Sequence, residues 1–119
     1  MNIVITRHNY SKYGVDGKLS INGEYVCDTC EHPVNYMTAG KNNISIVTNK
    51  KLHRMAPTFP NGAIIKPGNG PFSLTDGSII VGKHALRGLL VETAECFSKL
   101  IDRLDKTSNR NEEITITIK

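Results

Sequence analysis

Long apolar runs are missing from this chain of 119 residues. No stretch of about 18 consecutive apolar residues occurs, which excludes a transmembrane helix. The first residues also lack the charged start and the apolar core of a signal peptide, and Ile3 to Ile5 indicate a first β-strand instead. From these absences we expect a cytoplasmic protein with no membrane partner.

Concentrated positive charge is missing as well. The chain carries 15 Lys and Arg against 11 Asp and Glu, a net charge of +4, and these residues are spread along its length. There is no basic tail and no cationic helix face interleaved with aromatic residues. The densest basic cluster, Lys50 and Lys51 followed by His53 and Arg54, is short. This distribution disfavours nucleic acid as a partner.

Cysteine is sparse, with three residues at positions 27, 30 and 96. Cys27 and Cys30 have the C-x-x-C spacing of redox dithiols and of half a zinc site. A redox motif should open a helix, whereas this one follows the strand-like residues 23–26, and no second cysteine pair supplies two further zinc ligands. Buried thiols are therefore favoured over a zinc or redox role, and we predict no metal and no cofactor.

The pattern of short apolar runs predicts one α+β domain spanning residues 1–119, because no repeat or linker divides the chain. Asn22 and Gly23 form a strong type I′ turn pair inside a hairpin. Ile114, Ile116 and Ile118 alternate with polar residues, as in a strand with one buried face. We expect a mainly antiparallel sheet or a partly closed, barrel-like domain, with one C-terminal helix followed by a last strand.

Further local expectations follow from turn and helix signals. The predicted helix runs from about residue 91 to residue 106 with Ala94, Phe97, Ile101 and Leu104 on one apolar stripe, and residues 107–111 end it. Glycine and asparagine predict a turn at residues 13–17 and a loop at residues 39–43. Residues 52–59 suit a return strand, and residues 63–65 and 79–81 suit buried central strands.

Between those last two strands, residues 67–77 are too rich in glycine and proline for regular structure. A loop of this kind in the middle of a small domain is a frequent place for function. A cation, Lys66, precedes the loop, and a potential nucleophile, Ser78, follows it. The loop could therefore bring an amine and a hydroxyl together. It matches no phosphate-binding glycine motif.

Residues 22–31, Ala39 and Gly40, residues 65–69 and residues 77–82 together resemble a domain family of unknown function that is common in bacteriophages, prophages and gut bacteria. The family pattern reads I-H-P-G-N, a short loop and G-C-I-x-V-G, with an upstream strand close to C-x-T-L-E-D. The resemblance spans most of the chain. The family in turn is similar to a compact L,D-transpeptidase, whose His and Cys act on peptidoglycan peptides.

Both reacting positions of that family differ in this chain. The family's His falls on Lys66 and its Cys on Ser78, so the Cys–His mechanism cannot operate here. Either the site has lost catalysis, or Ser78 and Lys66 form a Ser–Lys dyad in which a desolvated amine is the base. His84 is a weaker candidate to replace the lost imidazole, and the sequence leaves enzymatic activity open.

The resemblance implies a degenerate L,D-transpeptidase-like domain that binds a peptide-like or peptidoglycan ligand without catalysis. The retained residues Gly68, Asn69, Asp76 and Gly77 are the expected ligand-binding frame. One alternative is a serine amidase or peptidase acting on cell-wall peptides. Another is a phage or secretion-system structural protein with a protein partner. Action on the cell wall would require host lysis or a dedicated export system, and the oligomeric state is not indicated.

Overall fold

The computed structural model describes residues 1–109 and 113–119 of the chain. The elements in chain order are β1 (Asn2–Ser11), β2 (Gly14–Ile21), β3 (Glu24–Glu31), β4 (Gly40–Asn43), β5 (Ser45–Asn49), β6 (Arg54–Thr58), β7 (Ile65–Pro67), β8 (Ile79–Leu86), β9 (Leu89–Val91), α1 (Thr93–Asn109) and β10 (Thr115–Ile118).

Most of the strands form one sheet in the order β4-β10-β1-β2-β3-β8-β7, with β9 paired to β8. The pairings are antiparallel except for β1 with β10 and β7 with β8, which are parallel. β5 and β6 form a separate two-stranded sheet. The predicted α+β class, with a mainly antiparallel sheet, one helix and a last strand, is confirmed. Among the described strands, the two edge strands β4 and β7 do not pair with each other, so the sheet is not closed into a barrel.

The first three strands form a meander whose second turn was predicted correctly. Asn22 and Gly23 adopt φ angles of 50° and 86°, the two positive values that a type I′ turn requires. The first turn was placed wrongly: Val15 and Asp16 already pair with β1, so the chain reverses before residue 14. Val15 is buried in this part of the hairpin, and burial of its side chain favours the longer strands.

Other local predictions are corrected by long-range pairing. Gly40–Asn43 was expected to be a loop but pairs with the last strand as β4, since the neighbouring edge offers unpaired backbone groups. The predicted return strand forms as β6. β8 lies inside the sheet as expected, whereas β7 is an edge strand. β7 is covered by α1 and β6, which pack against it.

The helix extends beyond its predicted end at residue 106 and buries a stripe that overlaps the predicted one, since Phe97 and Leu104 are buried and Ile101 is partly buried. Cys96, Phe97, Leu100 and Leu104 face the core, and Ala94 is exposed. Tertiary packing against the sheet decides this rotation, because several stripes of similar apolarity compete in the sequence. Arg110 and Asn111, which were expected to end the helix, lie outside the described residues.

The sheet carries apolar clusters on both faces. The larger one lies between the sheet and α1 and includes Ile3, Leu19, Ile65, Ile79 and Phe97. On the other face Cys30, Leu74, Ile80 and Leu90 form a smaller cluster, in which Leu74 anchors the loop of residues 68–78. No helix in the described part of the chain has the length and apolar character needed to span a bilayer.

Candidate functional site

The parallel pairing of β7 with β8 organises the candidate site. Ile65 pairs with Ile79 and Lys66 with Ile80, so the preceding residues Ile64 and Ser78 also lie opposite each other. Successive side chains of a strand point to opposite faces. Lys66 and Ser78 therefore share one face of the sheet, at neighbouring positions.

A cavity of about 580 Å³ opens on this face. It is bounded by the loop of residues 68–78 and by the turn between β5 and β6. Its lining comprises residues 48–52, Gly62, Ile64, Lys66, Ser73, Thr75, Asp76 and Ser78. Three residues singled out from the sequence, Lys66, Asp76 and Ser78, thus meet at one cavity.

Ser78 is held by structural hydrogen bonds. Its side chain is 1% exposed, and its hydroxyl oxygen accepts a hydrogen bond from the backbone N–H of Ile64 at 3.1 Å. Its own N–H donates to Oδ1 of Asp76 at 2.9 Å. No hydrogen bond joins Ser78 to Lys66 within the described residues. The hydroxyl thus connects Ser78 to Ile64, the residues that precede β8 and β7, and this role is structural and needs no catalysis.

Among the residues that the structure describes, Asp76 is the one acidic side chain in the lining. Burial alone would raise the pKa of Asp76, but hydrogen bonds from the backbone and side chain of Ser78 and the charge of Lys66 together lower it. Asp76 is therefore a carboxylate near neutral pH. Lys66 is half-buried, and it forms no ion pair within the portion that the structure describes.

Gly68, Asn69 and Gly77 shape the loop but do not line the cavity. A Cβ on Gly68 would come within 2.7 Å of Cγ2 of Ile80, so the loop approaches the sheet as closely as glycine permits. The Asn69 side-chain amide donates to the carbonyl of Leu90, and the Leu90 N–H donates to the carbonyl of Asn69, each at 2.8 Å. Gly77 has φ 87°. These residues fasten the loop to β8 and β9 and set the position of Ser78.

His84 is not brought to this cavity. It lies six residues beyond Ser78, roughly 20 Å along β8 at about 3.3 Å per residue, and lines a second cavity of about 330 Å³. Its Nε2 is 3.1 Å from the carbonyl of Thr29 and 3.4 Å from Oδ1 of Asp16, and its Nδ1 is 3.6 Å from Oδ2 of Asp28. Both ring nitrogens are thus turned toward acceptors of β2 and β3, and His84 ties these strands to β8.

The side chains of Cys27 and Cys30 do not lie next to each other. In a strand, residues three apart point to opposite faces, and Cys27 lies in the larger cluster while Cys30 lies in the smaller one. Burial raises the pKa of each thiol to about 12. These two residues therefore cannot bind one metal together or form a disulfide with each other.

Sequence reasoning missed two features of the site region. Lys50 and Lys51 were recognised as a basic cluster but not connected with Lys66; the hairpin of β5 and β6 brings them to the cavity rim. Asn49 shapes that turn, because its Oδ1 accepts the N–H groups of Lys51 and Leu52 at 3.0 and 3.1 Å. Asparagine at position 49 is a local turn signal that was not used, and nothing local indicates what the turn faces.

Comparison of the chain with models of protein families, with curated proteins and with solved structures finds no match. The resemblance to a compact L,D-transpeptidase therefore rests on the sequence motifs alone.

Proposed function

We propose that this domain is a degenerate L,D-transpeptidase-like protein that binds a peptide-like ligand, such as a cell-wall peptide, in the cavity of Lys66 and Ser78 without catalysis. The observation that carries the proposal is the hydrogen bond from the Ile64 N–H to the Ser78 hydroxyl inside a formed cavity. In this proposal the glycine and asparagine residues of the motif and a ligand cavity are retained. Ser78, which stands at the family's nucleophile position, has a structural role instead.

The chemistry of Ser78 argues against nucleophilic attack. A serine hydroxyl is a weak nucleophile unless a base within about 2.6–3.2 Å takes its proton. Ser78 is almost fully buried, and its hydroxyl is not bonded to the Lys66 amine. An acyl group on this oxygen would also weaken the hydrogen bond from the buried Ile64 N–H, because an ester oxygen is a poorer acceptor than a hydroxyl oxygen.

The cavity itself suits a small polar ligand. Its volume of about 580 Å³ lies within the range of roughly 300–1,000 Å³ found for ligand pockets. Hydroxyl, amide and ammonium groups of Thr48, Asn49, Thr75 and Lys66 line it. Such groups hydrogen-bond peptide carbonyls and acidic groups, which supports a peptide-like ligand.

Mass spectrometry of soluble peptidoglycan fragments incubated with three variants tests both parts of the proposal. The wild type, Ser78→Ala and the double restoration Lys66→His with Ser78→Cys are compared, and ligand binding is followed in parallel by NMR titration. We expect binding by the wild type and no cleavage or exchange by the wild type or by Ser78→Ala.

The outcomes separate the candidate functions. Product formed by the wild type and lost in Ser78→Ala would establish the Ser–Lys enzyme and overturn the proposal. Product formed by the restored double variant alone would support a retained groove around a lost catalytic pair. Absence of binding at millimolar fragment concentration would remove the ligand-binding half of the proposal.

A further inference from the structure

Positively charged side chains outnumber negatively charged ones around the cavity. Lys50, Lys51 and Lys66 line it, and within the described ranges Asp76 is the one acidic side chain among the lining residues. These three lysines come from two separate parts of the fold, the β5–β6 turn and β7. Their convergence is a product of tertiary structure and places a net positive charge on a concave surface, where electric fields are focused.

Within the part of the chain that the structure describes, no carboxylate forms an ion pair with Lys50, Lys51 or Lys66. Within the described ranges the ion pairs join Arg7 to Glu31, Lys83 to Glu92 and His84 to two aspartates. Lys50 and Lys51 are exposed and Lys66 is half-buried. Like charges that face one cavity repel one another unless an anion enters between them.

Asp76 does not neutralise the group. Its Oδ1 accepts a hydrogen bond from the Ser78 N–H at 2.9 Å, and the charge of Lys66 helps to lower its pKa. One carboxylate therefore faces three lysines, and a net positive charge remains. Hydroxyl groups of Thr48, Ser73 and Thr75 add hydrogen-bond donors along the same walls.

We infer that the ligand of this cavity carries an acidic oxyanion group, a carboxylate or a phosphate, which Lys66 binds together with Lys50 and Lys51. The inference deepens the proposed function and rests on it for the location of the site. The lysine at the family's histidine position then has a binding role in place of acid–base chemistry. Charge-assisted hydrogen bonds of this kind are stronger than neutral ones and favour a ligand with a free acid over its amide.

The test is an NMR titration of the full chain with three probes: N-acetyl-dialanine as the free acid, the same dipeptide as its C-terminal amide, and inorganic phosphate. The variants are Lys66→Gln and the double variant Lys50→Gln with Lys51→Gln. Lys41→Gln is the matched control, because Lys41 is an exposed lysine on β4 that does not line the cavity. Well-dispersed spectra verify that each variant is folded.

We expect the acid to bind about tenfold more tightly than the amide, and Lys66→Gln to weaken the acid by about tenfold. The Lys50/Lys51 double variant should weaken it by a similar factor and the control by less than about twofold. Raising the salt concentration from about 20 to about 200 mM should lower the affinity, because exposed charges are screened.

The other possible results test the acidic-group inference and the proposed peptide binding separately. Equal binding of acid and amide at the cavity, or equal affinity of Lys66→Gln and the wild type, would overturn the inference while the proposed peptide binding survives. Binding of phosphate without either peptide would support the acidic-group inference and count against a peptide ligand. No shift of cavity resonances with any probe at millimolar concentration would overturn both.

Discussion

The hydroxyl oxygen of Ser78 lies 3.1 Å from the backbone nitrogen of Ile64 and accepts its hydrogen bond. In the reverse direction, the N–H of the next residue, Ile79, donates to the carbonyl of Ile64 at 2.9 Å. A side chain thus continues the hydrogen-bond ladder of the parallel strands β7 and β8 one position beyond their regular pairing. The side chain of Ser78 therefore takes part in the hydrogen bonding of the sheet.

Ser78→Ala should therefore destabilise the fold. The substitution leaves the buried Ile64 N–H without an acceptor, at an expected cost of about 1–3 kcal/mol in the free energy of unfolding. Urea denaturation measures the change. Ser73→Ala is the control, since Ser73 is exposed on the same cavity and should stay within about 0.5 kcal/mol of the wild type. Equal stabilities of the two variants would contradict the structural role of the Ser78 hydroxyl.

Asp76 should contribute to stability in a pH-dependent way. Its pKa in the fold is lowered from the ordinary value of 3.8, so its contribution is complete above that pH and is lost as the pH falls through the folded-state value. Unfolding curves collected between about pH 2 and pH 6 should show a steeper acid loss for the wild type than for Asp76→Asn. Parallel curves would show that this carboxylate is not stabilised by its neighbours.

Arg7 and Glu31 form a buried ion pair on β1 and β3. The guanidinium contacts both carboxylate oxygens, at 2.9 and 2.7 Å, and also donates to the carbonyl of Met37 at 2.5 Å. Glu31→Gln leaves a buried cation without its counter-charge and should cost about 3–5 kcal/mol in the free energy of unfolding.

The double variant Arg7→Met with Glu31→Leu is the informative comparison for that pair. It removes both charges, so its loss of stability should be smaller than that of Glu31→Gln alone. Chemical denaturation of both variants measures their free energies of unfolding. If the double variant is the less stable of the two, the pair stabilises the fold beyond the cost of its burial.

The cysteines should be inert in the folded protein. Burial raises the pKa of Cys27 and Cys30 to about 12 and also raises the pKa of Cys96, so at pH 8 only about one in ten thousand of the first two thiols is ionised. Since the thiolate is the reacting species, iodoacetamide should label them slowly in buffer and rapidly in guanidinium chloride. Peptide mapping by mass spectrometry distinguishes the sites, and fast native labelling of Cys27 or Cys30 would reopen a redox role.

Parts of the fold that depend on neighbours in sequence were predictable. The Asn22-Gly23 turn follows from the tolerance of these residues for positive φ, and the last strand follows from strict alternation of isoleucine with threonine. The helix followed from apolar periodicity, yet its buried face was misjudged at Ala94, because periodicity cannot show which neighbouring element the helix meets.

The candidate site was predictable to the extent that it is local. Lys66, Asp76 and Ser78 meet at one cavity because a single connection joins β7 to β8, and the parallel register then fixes their common face. The place of His84 was not predictable in this way. It follows Ser78 closely along the chain, but an extended strand carries it roughly 20 Å away.

The sequence by itself determined the Asn22-Gly23 turn, the last strand, the helix and the loop with its Pro-Gly-Asn start, since these depend on backbone preferences over a few residues. Only the tertiary structure decided that β10 runs parallel to β1, that Cys27 and Cys30 face opposite clusters, and that Lys50 and Lys51 join Lys66 at the cavity. Those arrangements bring together residues far apart in the chain, and they are selected by the burial of apolar surface and the pairing of backbone groups across the whole domain.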